Sequence, residues 1–292
     1  MSQAIDAVTN NSVDLSTTVE MTDAQAVSLT ASTDVAIENV SIPTRSGALP
    51  AHLFMASADA APSSASPAII VVHDANGPDD WTQQATSRLA AAGFAMIAPE
   101  LFANAAPPAD DGEVAHQDFL LALSDAKIVA DLLATVDWLI TRGHVEIGII
   151  GWGWGGAYAL MAAAHDARVR AVVDVGGTIS YPVSTPNRLG SPLNFVADLE
   201  GPLLAAFAGA DPQFPENEIE RLRGRLIEHD KNGEIKVYPA APPRFWHDEQ
   251  SPHTLLLWRR ITAFLQDNLM QVDDDNPAFG EGYPNEASRL HA

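Results

Sequence analysis

The chain has 292 residues, 47% of them hydrophobic, enough to bury one sizeable core of a kind that often runs past roughly 200 residues. Its 38 acidic residues against 16 basic ones give a formal net charge of −22, which repels phosphate backbones and anionic lipid surfaces, so neither nucleic acid nor a membrane is expected as a partner. Cysteine is absent, which removes disulfides, thiolate nucleophiles and cysteine-based zinc or iron–sulfur sites.

Taken in chain order, Met1 to about Asp34 is rich in Ser, Thr, Asn, Asp and Ala without a steady apolar period, and is expected to form a flexible N-terminal arm. Its start lacks the positive and apolar blocks of a signal peptide, so the expected location is cytoplasmic. The Pro/Ala/Ser segment Ala60 to Pro67 reads as a loop after an edge strand, with a linker as the alternative. Apolar, β-prone runs then alternate with amphipathic stretches. Strands are expected at Ala68 to His73, Phe94 to Pro99, Glu146 to Trp152, Arg170 to Gly177, Leu203 to Gly209 and Glu234 to Ala240. Helices are expected at Trp81 to Ala92, Asp118 to Thr141, Gly155 to Ala164, Glu216 to Asp230 and Pro252 to Asn268. In the longest of these, Leu120, Leu121, Ile128, Leu132, Val136 and Leu139 recur at helical spacing. The domain is thus assigned to residues 35–270, an α/β fold with a mostly parallel sheet between helix layers, followed by a Pro- and Gly-containing tail over 271–292.

The strand ending at Trp152 runs into Gly151-Trp152-Gly153-Trp154-Gly155-Gly156 and then a helix. This strand–turn–helix is the setting in which an α/β-hydrolase lifts its nucleophile clear of the sheet, and glycines on either side suit its tight packing. The chain resembles the dienelactone hydrolase family over about residues 36–268. The family's elbow reads G-x-C-x-G-G or G-x-S-x-G-G; VVHDANG is similar to its first oxyanion loop, LAAAGFAMIAPELF to its next helix and strand, and PLLAAFAGADPQFP to the segment carrying its triad aspartate. The resemblance therefore implies an α/β-hydrolase fold in three layers and an ancestry of ester or lactone hydrolysis.

The same comparison exposes what is missing. Gly153 stands at the nucleophile position, and glycine has no atom with which to attack a carbonyl. The family's histidine comes in a Y-P-x-A-x-H-x-F pattern, where this chain has Tyr238-Pro239-Ala240-Ala241-Pro242-Pro243-Arg244-Phe245, so Pro243 takes its place. Asp211 alone remains of the triad. The resemblance implies oxyanion amides at Ala75 and Trp154, and it places Asp74 where the family keeps a glutamate near the nucleophile. Asp74 and Asp211 are read either as two carboxylates in a cleft or as a hydrogen-bonded structural pair. His247 is read as a general base for water or as a surface loop histidine, and Arg244 as a clamp for a substrate carboxylate or as a salt bridge. His73 is expected to be held by a backbone hydrogen bond. Trp152, Trp154, Trp246 and Trp258 are bulky enough to fill the old pocket.

The expected function is a binding or scaffold protein with a degenerate triad; the alternative is an enzyme (hydrolase, lyase or cyclase) that uses Asp74 or His247 for non-covalent acid/base chemistry on a small carboxylate or lactone. No metal or organic cofactor is expected, and a homodimer is the assembly considered.

Overall fold

The computed structural model of the protein describes residues 35–56, 66–103, 105, 113–181 and 184–270. The expected arm and tail, and most of the Ala60–Pro67 loop, lie outside the described residues. Eight strands form one sheet in the order β1-β2-β4-β3-β5-β6-β7-β8. A hairpin of β1 (Val35–Thr44) and β2 (Gly47–Ala56) pairs antiparallel and leads the sheet; β2 also runs antiparallel to β4 (Ala95–Pro99). β3 (Ala68–Val72), β5 (Ile147–Trp152), β6 (Val169–Val175), β7 (Leu203–Ala208) and β8 (Gly233–Tyr238) continue it in parallel. Every residue of β3, β4, β5 and β7 is buried, as unbroken apolar runs require when helices cover both faces of a sheet.

Strand periodicity divides the core. Ile70 and Val72 face one layer, with α3 (Asp125–Thr141), α4 (Trp154–His165) and α5 (Glu216–Glu228). Ile69 and Val71 face the other, with α1 (Asp80–Ala91) and α6 (Pro252–Leu269). The three-layer α/β architecture expected from the sequence is therefore present, and each expected strand matches an observed one to within two residues at either end.

Two differences matter. The first sheet edge is a full hairpin, where only one edge strand was anticipated. Its outer strand carries mostly exposed residues, so its apolar signal is faint. The stretch read as one helix from Asp118 to Thr141 is two, α2 (Glu113–Ala122) and α3, broken at Leu123 and Ser124. Ser124 caps α3: its backbone is extended at φ −88° and ψ 117°, and its Oγ accepts from Lys127 N at 3.4 Å. Ser-Asp ahead of an apolar run is a helix-start signature, overridden in the sequence reading by continuous helical spacing. The break positions both Leu120 and Asp125 for the site below. Among the described residues no helix is long and apolar enough to cross a membrane.

Candidate active site

The turn between β5 and α4 is as tight as its glycines suggest. A Cβ on Gly151 would lie 2.6 Å from Gly156 Cα, and one on Gly155 would lie 2.5 Å from His73 O. Gly153, at the tip, has φ 50° and ψ −121°, a conformation that L side chains rarely adopt. Its N–H donates to Val175 O at 2.8 Å and its carbonyl accepts from Gly156 N at 2.9 Å, so neighbouring backbone holds the turn. The flanking indoles go to opposite faces of the sheet. Trp152 is fully buried against Trp81, Trp246 and Trp258, with ring centroids 4.8, 6.5 and 5.2 Å away. Trp154 packs with Tyr158 at 4.1 Å and Phe102 at 5.1 Å.

The expected oxyanion amides do converge, but they are already filled. Asp74 Oδ1 accepts from Ala75 N at 2.7 Å and from Trp154 N at 2.9 Å. Two N–H groups at a helix start attract a carboxylate, and this chain supplies one from its own backbone neighbour. The same carboxylate stands over the turn: a Cβ on Gly153 would lie 2.6 Å from Asp74 Cγ and closer still to Oδ1. Arg244, in a left-handed conformation with φ 55°, brings Nη2 to 3.1 Å from Asp74 Oδ2 and 3.2 Å from His247 Nε2. It clamps the protein's own carboxylate.

His247 is half-buried, stacked on Trp81 with centroids 4.4 Å apart. Burial, and then the Arg244 guanidinium, lower its pKa, which favours a neutral imidazole accepting from Arg244. Asp211 joins none of this. It follows β7, its Oδ1 accepts from Gln213 N at 2.9 Å, and no hydrogen bond or ion pair links it to Asp74 or His247 among the described residues, so the hydrogen-bonded pair of Asp74 and Asp211 is not formed. Its turn is closed locally by its own backbone and by Gln213, which leaves the carboxylate no reason to reach across the cleft. Pro243 is exposed. His73 is buried, with Nδ1 2.8 Å from Asp74 O as anticipated, and burial lowers its pKa.

The pocket is not filled by tryptophan. A cavity of about 670 Å³ opens beside Trp154, lined also by Leu120, Leu121, Ile179, Tyr181 and Arg188. His247 is absent from its wall. Behind the wall, Asp125 is fully buried and accepts from Tyr158 Oη at 2.6 Å, Arg188 Nη1 at 2.7 Å and Leu189 N at 3.1 Å. Arg188 Nη1 also donates to Tyr158 Oη at 2.8 Å, and its guanidinium lies 4.5 Å from the centre of the Tyr181 ring. Burial and the neighbouring Asp125 carboxylate push Tyr181 up to about 12 and hold Tyr158 well above the usual phenol range. None of these four residues was singled out from the sequence. Only the Ser124-Asp125 cap signal could have pointed to one of them.

A second buried carboxyl lies under the elbow. Asp174 accepts one hydrogen bond, from Gly177 N at 2.7 Å, and burial pushes its pKa up to about 7. A raised folded-state value means that the folded chain holds this proton more tightly, so its contribution to stability is full below about pH 4 and is lost as the pH rises through 7. Asp174→Asn is expected to be nearly neutral at about pH 3.5 and to stabilise by up to about 4 kcal/mol at pH 8, read from urea unfolding at the two pH values. An unchanged gap between them counts against a buried, proton-binding Asp174. Among the described residues no three His, Asp or Glu side chains are grouped to hold a metal.

An eight-stranded, mostly parallel sheet with a glycine-rich strand–turn–helix at its centre defines an α/β-hydrolase fold. The profile of the dienelactone hydrolase family matches residues 55–269, most of the described chain. The protein belongs to that family. It is similar to a Salmonella typhi protein named as a carboxymethylenebutenolidase, 29% identical over 210 residues that cover 70% of this chain and 76% of that one. It is also 29% identical over 182 residues to a Bradyrhizobium protein named as a 2-oxo-3-(5-oxofuran-2-ylidene)propanoate lactonase, covering 61% and 73% of the two chains. Among solved structures, one from Klebsiella pneumoniae named as a dienelactone hydrolase superposes with a TM-score of 0.73 at 26% identity, covering 79% of this chain and 98% of that one.

Proposed function

We propose that this family member has a degenerate triad and serves as a binding or scaffold protein without hydrolytic turnover. One observation carries the reading: the Asp74 carboxylate takes both elbow amides and stands where a side chain at position 153 would need to be. A substrate carbonyl would meet neither a nucleophile nor free oxyanion donors, and these are the two elements that acyl transfer in this fold depends on. Pro243, and the lack of a hydrogen bond between Asp211 and His247 among the described residues, agree with it. The purified protein is expected to hydrolyse p-nitrophenyl esters and enol-lactones no faster than buffer and to resist labelling by serine-directed phosphonates. Turnover that tracks the protein through purification refutes this reading.

The Asp74–Arg244–His247 chain favours the second reading, proton transfer without a covalent intermediate, because it puts a carboxylate, a cation and an imidazole in one line. His247→Ala and Asp74→Ala would then abolish turnover of whatever substrate is found, whereas unchanged rates remove both roles.

A further inference from the structure

The cavity opens beside Trp154 without Asp74, Arg244 or His247 in its wall, and the reading above assigns nothing to it. We propose that it is a binding site for a small aromatic carboxylate, gripped by the free edge of the Arg188 guanidinium. The proposal rests on the non-hydrolytic reading only in that the bound acid leaves unchanged.

At about 670 Å³ the cavity falls within the range of small-ligand sites, roughly 300–1,000 Å³. Its wall offers flat and apolar surface, from the Trp154 indole and the Tyr181 ring to Leu120, Leu121 and Ile179. A planar hydrocarbon body suits such a wall. Arg188 is the cation at its inner side, only 8% exposed. Nη1 is engaged by Asp125 and Tyr158, the plane is set by Tyr181, and no hydrogen bond engages Nε or Nη2 among the described residues. A guanidinium fixed along one edge and open along the other is preorganised for two parallel hydrogen bonds to a carboxylate. Ser180 Oγ and Trp154 Nε1, both on the wall and buried, have no hydrogen-bond partner. Tyr181 Oη and Glu218 Oε2 on the same wall are also buried without a partner; two hydroxyls, the indole N–H and the open guanidinium edge outnumber that one carboxylate oxygen, so the cavity favours a ligand rich in acceptors. Glu218, the carboxylate on the wall, is paired through Oε1 with Arg221 at 2.6 Å, which compensates its charge, while Oε2 has no partner.

The alternative anion position, at the Ala75 and Trp154 amides, is taken by Asp74. The ligand's carboxylate is thereby left to Arg188.

Calorimetry on the full chain with phenylacetate, phenylacetamide and phenethylamine tests this. Phenylacetate is expected to bind saturably and raise the melting temperature, with the amide about tenfold weaker and the amine without effect. Because Arg188 variants risk unfolding, Leu121→Trp, at the exposed side of the cavity, supplies the second arm and is expected to abolish binding. Equal affinity for acid and amide, binding that survives Leu121→Trp, or no binding up to about 10 mM each overturns the proposal. Ester turnover in the separate assay would overturn the non-hydrolytic reading instead.

Discussion

Replacing Asp125 with alanine is expected to lower the unfolding free energy by about 3–5 kcal/mol, because it leaves the Arg188 charge buried and without its counter-ion. The carboxylate also receives Tyr158 Oη and Leu189 N, so three donors lose their acceptor at once. For a domain of this size the melting temperature should fall on the order of 10 °C. Asp125 begins α3 at its capped N-terminus, where the partial positive charge of the helix favours a carboxylate; that stabilisation disappears as well. Replacing both partners with apolar residues of similar size should cost much less than the single change, since no charge is then stranded. Urea unfolding followed by tryptophan fluorescence measures both. A loss under about 1 kcal/mol for Asp125→Ala would mean that water reaches Arg188 in solution.

Restoring a hydroxyl at the elbow is expected to fail as a repair. Gly153→Ser places a Cβ on a backbone at φ 50°, at about 1–3 kcal/mol, and drives it into the Asp74 carboxylate. Asp74 must then leave the two amides and Arg244. Even so, the new hydroxyl has no base to activate it, because His247 Nε2 is engaged by Arg244 and Asp211 contacts neither. The variant should therefore be less stable than the parent and show no burst of p-nitrophenol from ester substrates. Adding Asp74→Ala should return part of the lost stability, with a coupling of about 0.5–3 kcal/mol between the two positions. A stoichiometric burst in Gly153→Ser would show that the triad is closer to working order than the geometry allows.

The apolar runs and their helical neighbours made the architecture legible, because strands buried on both faces and helices buried on one have distinct periods. β1 was the exception: an edge strand with mostly exposed residues carries little of that pattern. For the site, position 153 could be read directly, since glycine lacks an attacking atom in any fold. Ala75 and Trp154 were located through the resemblance, and the structure brings their amides together.

Which groups meet is another matter. Asp74 turning its carboxylate back onto Ala75 and Trp154, Arg244 joining it to His247, and Asp211 staying in its own turn depend on backbone direction at loops where no periodic constraint acts. The Asp125–Tyr158–Arg188 cluster gathers residues 30 to 63 positions apart, which no local pattern records. Composition and spacing by themselves determined the layers of this protein, and the motif resemblance located Gly153 at the elbow. Only the tertiary structure decided that the amides are filled from within and that a cavity with a buried guanidinium lies beside them, because contacts between distant loops follow from packing in three dimensions and leave no period in the chain.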